Sequence, residues 1–248
     1  MTLMEHLIEL RGRVLKSFVA IALGAVIGWI LYPHVLDILM RPLEELARKN
    51  PDNVSPKFIS FKPLEIFMLR VKISAYLGLI VAMPFVLWQV WKFIAPGLYQ
   101  NERRYAAAFV ASASLLFAFG AAVAYFTLFQ ALQFLQSFGG GDVYFNYSAQ
   151  DYLMLIVFMM VAFGAGFQFP IVVVALQLVG LVTPQQLAGA RRFAIVIIFV
   201  VAAVITPSAD PISLVALAIP MTVFYEISIL IGRLVLRRRN KAAAAAAG

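Results

Sequence analysis

The feature that most constrains this chain is a series of long stretches without Asp, Glu, Lys or Arg. Ser17–Leu36 and Ile73–Trp91 come first, and Tyr105–Gly141 and Tyr152–Ala190 are longer. Phe193–Ala209 follows, and Pro211–Gly232 is broken only by Glu226. A helix crosses about 30 Å of hydrocarbon with about 20 apolar residues, because each adds about 1.5 Å. Composition agrees: 63% of the 248 residues are hydrophobic and 13% are charged. Soluble domains carry about 45–50% and about 25%. So little charge cannot coat a water-facing surface, which excludes an ordinary soluble enzyme, a disordered chain and a disulfide-built secreted domain.

The expected fold is an all-α integral membrane protein, a single membrane domain over 1–248 with six transmembrane helices. The spans are placed near 17–36, 73–91, 106–135, 152–179, 193–209 and 212–232. Tyr105–Gly141 carries no turn signal at its middle and ends in three glycines, so it reads as one span. In Tyr152–Ala190 the break falls at Gly180-Leu-Val-Thr-Pro-Gln-Gln186. Pro84 and Pro220 predict kinks in spans two and six. Span five is short, and the bilayer is expected to thin beside it. The alanine-rich run 242–248 reads as an added tail and carries no argument. No internal repeat of the kind found in many transporters is visible.

Charge sets the orientation. Arg11, Arg13 and Lys16 precede span one, and Arg237, Arg238, Arg239 and Lys241 follow span six. With six spans these lie on one side, together with Lys92, Arg103, Arg104, Arg191 and Arg192. The opposite loops at 137–150 and 206–211 contain no Lys or Arg. Both termini are therefore expected in the cytoplasm. Residues 37–72 dissent, with seven basic residues on the outer side. The net charge of +8 thus reads as a topology signal rather than a nucleic-acid footprint.

Three positions stand out on chemistry. Leu3, Leu7, Leu10 and Val14 form an apolar stripe over Thr2–Lys16, which predicts an amphipathic helix along the membrane surface before span one. Glu9 lies on its other face, and on this feature alone it is read as the i,i+4 partner of Arg13. Glu102 follows Asn101 at the predicted start of span three, where the helix dipole favours an anion. Phe93 belongs at head-group depth. Gln168 lies deep in span four, in Phe163-Gly-Ala-Gly-Phe-Gln-Phe-Pro170. It either satisfies the Gly166 carbonyl freed by Pro170 or docks a partner.

Motifs for catalysis are lacking. There is no phosphate-binding G-x-x-x-x-G-K-[ST] run, no cysteine, and His6 and His34 are expected on opposite sides of the membrane. No enzyme, metal site or cofactor is implied. A six-span solute transporter or channel is the alternative, but it needs a polar path that Gln168 and a few hydroxyls hardly provide.

Glu5-His-Leu-Ile-Glu-Leu-Arg-Gly-Arg13 and Leu87-Trp-Gln-Val-Trp-Lys-Phe-Ile-Ala-Pro-Gly-Leu-Tyr-Gln-Asn-Glu-Arg-Arg104 resemble the signature cytoplasmic segments of the TatC family. Phe163–Pro170, Leu217-Ala-Ile-Pro220 and Tyr225-Glu-Ile-Ser228 are similar to it as well, in the same order. The resemblance implies a concave six-helix bundle in the inner membrane, the core subunit of a twin-arginine translocase. Such a subunit binds twin-arginine signal peptides and assembles single-span TatA and TatB partners, within a complex where several copies can meet. It exports folded proteins on the proton-motive force. By motif, Glu9 and Glu102 are the signal-peptide-binding carboxylates, with Phe93 beside them. Many family members carry glutamate where Gln168 stands, in a face thought to meet a partner helix. Glutamine keeps the hydrogen bonding but cannot ionise.

Overall fold

The computed structural model describes residues 3–51, 53–55, 57–58, 60, 62–94, 106–138, 144–207 and 210–247. The chain is almost wholly helical: α1 (Leu3–Lys49), α2 (Glu65–Ile94), α3 (Ala106–Ser137), α4 (Ala149–Gly166), α5 (Phe169–Val179), α6 (Pro184–Gly189), α7 (Arg191–Ile205) and α8 (Pro211–Ala247). Among the described residues five units are long and apolar enough to cross a membrane: α1, α2, α3, α4 with α5 in series, and α8. The sixth, α7, has 15 residues, about 22 Å of rise.

The first helix differs from expectation at both ends. Residues 3–16 are not a separate surface helix but the first turns of α1, which runs unbroken for 47 residues. Nothing between Arg11 and Val19 except Gly12 weakens the helical ladder, so span one continues it. At the other end, residues 37–49, expected in a loop, are also helical. Leu39, Leu43 and Leu46 recur at helical spacing and are buried against the core, and that burial holds the helix together beyond Pro42.

Pro33 shows how a long helix tolerates an imide. It has no N–H to give the Trp29 carbonyl four residues earlier. Arg70 of α2 supplies the missing donor, with Nη2 3.2 Å from that oxygen. Its guanidinium lies 4.3 Å from the Trp29 ring centroid and 5.1 Å from that of Tyr32. An arginine at the membrane boundary is thus held by a carbonyl and two aromatic faces.

Close approach fixes the α1–α2 pair. A Cβ at Gly24 would fall 2.6 Å from the Gly78 carbonyl oxygen, so only glycine lets the two backbones meet there. The core lies on the far side of this pair. Phe163, Phe167, Leu217 and Met221 join α4 to α8, and Leu128, Leu132 and Leu153 join α3 to α4.

The long fourth span bends where Pro170 requires it. The Gln168 amide donates to Ala165 at 3.0 Å rather than to Gly164, and α5 restarts at Phe169. Gly180, at φ 84°, then ends α5 in the left-handed region that favours glycine. Thr183 and Gln186 cap α6 reciprocally. On the α5–α8 seam the buried Gln177 donates to Ser228 O at 2.9 Å, and Ser228 Oγ donates to Pro170 O at 3.2 Å. Each also bonds within its own helix, Gln177 to Val173 O at 3.4 Å and Ser228 to Phe224 O at 2.7 Å, so the seam bonds add to the intrahelical ones.

At the end remote from the N-terminus, four elements are tied into a cap. Phe145 N donates to Asn53 O at 2.7 Å and Ser55 N to Phe145 O at 3.3 Å, a single parallel bridge. Ser148 Oγ donates to Glu65 Oε1 at 3.0 Å. The Tyr152 and Tyr125 hydroxyls donate to Leu39 O and Ile38 O, each at 2.9 Å. Two of the basic residues that dissented from the orientation rule have local partners here. Lys49 pairs with Glu45 at 3.4 Å and lies over the Phe129 ring, while Arg70 is held as described.

Candidate signal-binding site

Glu9 lies in the second turn of α1 with its Oε1 engaged by Arg13, whose Nε is 3.1 Å away and whose Nη2 also makes contact. Both partners sit at i,i+4 on one face, as the spacing predicts. The two side chains are only 22% and 19% exposed. Glu9 Oε2 is buried and makes no hydrogen bond among the described residues. An ionised carboxylate has about four acceptor positions, so this group retains acceptor capacity on the oxygen that Arg13 leaves free.

One turn earlier, His6 stacks on Phe93 with ring centroids 4.2 Å apart and planes 19° apart. That contact brings the start of α1 against the end of α2. Two segments separated by more than 80 residues therefore meet, and Glu9 stands three residues from the contact on a neighbouring helical position. Phe93 is half-buried in this arrangement. Glu102, with Asn101 and the Pro96-Gly97 turn, lies outside the described residues.

Gln168 takes a role that differs in detail from expectation. Its Nε2 lies 3.3 Å from Gly164 O and 3.1 Å from Ala113 O of α3; it does not reach Gly166. The reason is the turn at 167–168. Because the Gln168 amide is diverted to Ala165, Gly164 loses its helical donor, and the side chain of Gln168 replaces it. Its Oε1 is buried without a hydrogen-bond partner among the described residues. The amide thus stitches α4 to α3 and keeps one acceptor unused.

A further ion pair was not legible as a pair. Arg191, at the start of α7, donates to both carboxylate oxygens of Glu226 at 2.7 and 2.9 Å. Glu226 is the lone charge in the last apolar stretch, which marked it as unusual. Its partner was hidden because it lies 35 positions away. The short α7 and the start of α8 run antiparallel from one turn, so residues near-equidistant from that turn face each other. The fork-to-fork geometry is the strongest that arginine offers a carboxylate. Among the described residues no three His, Asp or Glu side chains gather as a metal site would require.

Comparison with known proteins gives a consistent result. The family model described as "Sec-independent protein translocase protein (TatC)" matches residues 5–220. A TatC protein of Frankia casuarinae is 39% identical over 244 residues, covering 96% of this chain and 67% of its own length. That of Aquifex aeolicus is 37% identical over 244 residues, covering 97% and 98%. A crystal structure described as the twin arginine translocase receptor TatC in DDM superposes with a TM-score of 0.76 at 38% identity. It covers 92% of this chain and 99% of that one. The chain is a multi-pass membrane protein and belongs to the TatC family of protein translocase components.

Proposed function

We propose that this protein is the receptor and core subunit of a twin-arginine translocase. It binds signal peptides bearing consecutive arginines and assembles TatA- and TatB-type single-span partners to export folded proteins on the proton-motive force. It sits in the inner membrane with both termini in the cytoplasm, as the basic residues around both ends support. The work is recognition and assembly rather than bond-making, so the chain is a receptor and not an enzyme. The family match favours this reading over a six-span solute transporter or channel.

The observation that carries the reading is the half-used Glu9 carboxylate beside the His6–Phe93 contact. A guanidinium is a planar fork whose donors meet a carboxylate bidentately, which the point charge of lysine cannot reproduce. Glu9 already holds a guanidinium, with both Arg13 donors on Oε1, so its surroundings tolerate such a group. An incoming arginine takes Oε2 or displaces Arg13, and Glu102 holds the second arginine. The apolar part of the signal packs on the exposed faces of the spans. Deeper in the bilayer, the unused Gln168 Oε1 accepts a hydrogen bond from a partner helix. No ionisation is available there, so partner docking at this position is independent of pH.

The test is titration of a fluorescent twin-arginine peptide onto the protein in lipid nanodiscs. Glu9→Gln and Glu102→Gln should each weaken binding by about tenfold or more, from the loss of a charged hydrogen bond of about 1.5–3 kcal/mol. Unchanged affinity in both variants would place recognition elsewhere.

A further inference from the structure

On the capped side, opposite the N-terminus, an open cavity of about 410 Å³ lies between the starts of α2 and α4, lined by Lys62, Leu64, Glu65, Met68, Lys72 and Asp151 among others. Its depth follows from the sequence. Lys72 and Asp151 are the last charged residues before two charge-free stretches, beginning at Ile73 and Tyr152. The cavity therefore straddles the level at which hydrocarbon gives way to head groups. Leu64 and Met68, 64% and 47% exposed, form an apolar lip on its α2 side.

The charges are arranged for a ligand that carries both signs. Lys62, Lys72 and Asp151 make no ion pair with one another or with any other described residue. Glu65, at the floor, is already engaged by Ser60, Ser148 and the Lys62 amide. Two cations and two anions thus balance around one opening. An anionic lipid would leave Asp151 unmatched and repelled. A choline head group favours an aromatic cage, and among the described residues no aromatic side chain lines this cavity. A primary ammonium instead donates hydrogen bonds that a carboxylate accepts.

We propose that this cavity seats the head group of a zwitterionic aminophospholipid, with its phosphate between Lys62 and Lys72 and its ammonium on Asp151. The acyl chains run down the lip formed by Leu64 and Met68. The lipid then joins the starts of α2 and α4, two elements that already share the Glu65–Ser148 hydrogen bond. This site is independent of signal-peptide recognition and stands whether or not Glu9 binds arginine.

The test is native mass spectrometry of the delipidated protein titrated with phosphatidylethanolamine, phosphatidylcholine and phosphatidylglycerol of matched acyl chains. The unsubstituted protein should hold phosphatidylethanolamine roughly five- to tenfold more tightly than either of the others. Asp151→Asn should abolish the preference for ethanolamine over choline, while Lys62→Gln/Lys72→Gln should weaken all three. Equal or tighter binding of phosphatidylcholine or phosphatidylglycerol to the unsubstituted protein would overturn the proposal. So would an ethanolamine preference that survives Asp151→Asn. The lipid comparison on the unsubstituted protein decides the matter even where a variant folds poorly.

Discussion

The two ends of α1 are built from the same kinds of residue and treated oppositely. Leu39, Leu43 and Leu46 near its end are at most 2% exposed, whereas Leu7, Ile8 and Val14 near its start are 57%, 63% and 57% exposed. The far end is clamped by the bridge at Val54–Phe145, the Glu65–Ser148 bond and two tyrosine hydroxyls. Among the described residues the near end is held chiefly by one ring stack, His6 on Phe93. A rigid cap therefore anchors a helix whose other end presents apolar surface and a half-used carboxylate. Stability and the proposed recognition site are thus segregated along one element, and the helix connects them over about 70 Å.

Substitutions at the two ends should break that comparison most visibly. Leu43→Ala removes a fully buried side chain from the cap and should cost about 2–5 kcal/mol. Leu7→Ala, at the exposed end, should stay within about 0.5 kcal/mol. Reversible denaturation in mixed micelles reads both, and similar costs would erase the distinction. The next effect belongs to the middle of the helix. Arg70→Gln strips the donor from a carbonyl that Pro33 leaves open, at about 1–3 kcal/mol. Pro33→Ala restores the backbone amide, so the same Arg70→Gln change should cost less in that background. A double-mutant cycle with no coupling would show that Arg70 does not compensate for the imide.

The smallest effect sharpens the recognition end. Arg13 competes for the carboxylate that a signal arginine would use, yet an i,i+4 pair of this kind contributes only about 0.3–0.5 kcal/mol. Arg13→Gln should therefore tighten twin-arginine peptide binding by about twofold, measured by the same nanodisc titration. Weaker binding would mean that Arg13 holds Glu9 in position rather than competing for it.

Much of this architecture was legible in charge alone. The absence of Asp, Glu, Lys and Arg over bilayer-length stretches located the spans, because lipid penalises each such residue strongly. The ends of helices were less legible. Helical spacing of Leu39, Leu43 and Leu46 was visible, but the charges around them read as a loop. Only packing against α3 and α4 explains why 37–49 stay helical. The cross-helix partners of Glu226, Arg70 and Gln168 lie 35 to 55 positions away, and no local pattern encodes such pairings. Gln168 is instructive: its unusual polarity was evident, yet its acceptors depend on how the turn before Pro170 diverts one amide.

The central claim is that Glu9 and Glu102 read guanidinium geometry rather than positive charge. The most direct measurement compares twin-arginine and twin-lysine forms of one signal peptide on the protein in nanodiscs, with and without Glu9→Gln/Glu102→Gln. The account predicts a clear arginine preference in the unsubstituted protein that disappears in the double variant. Equal affinity in all four combinations would contradict it and would leave the apolar segment of the signal as the sole source of binding.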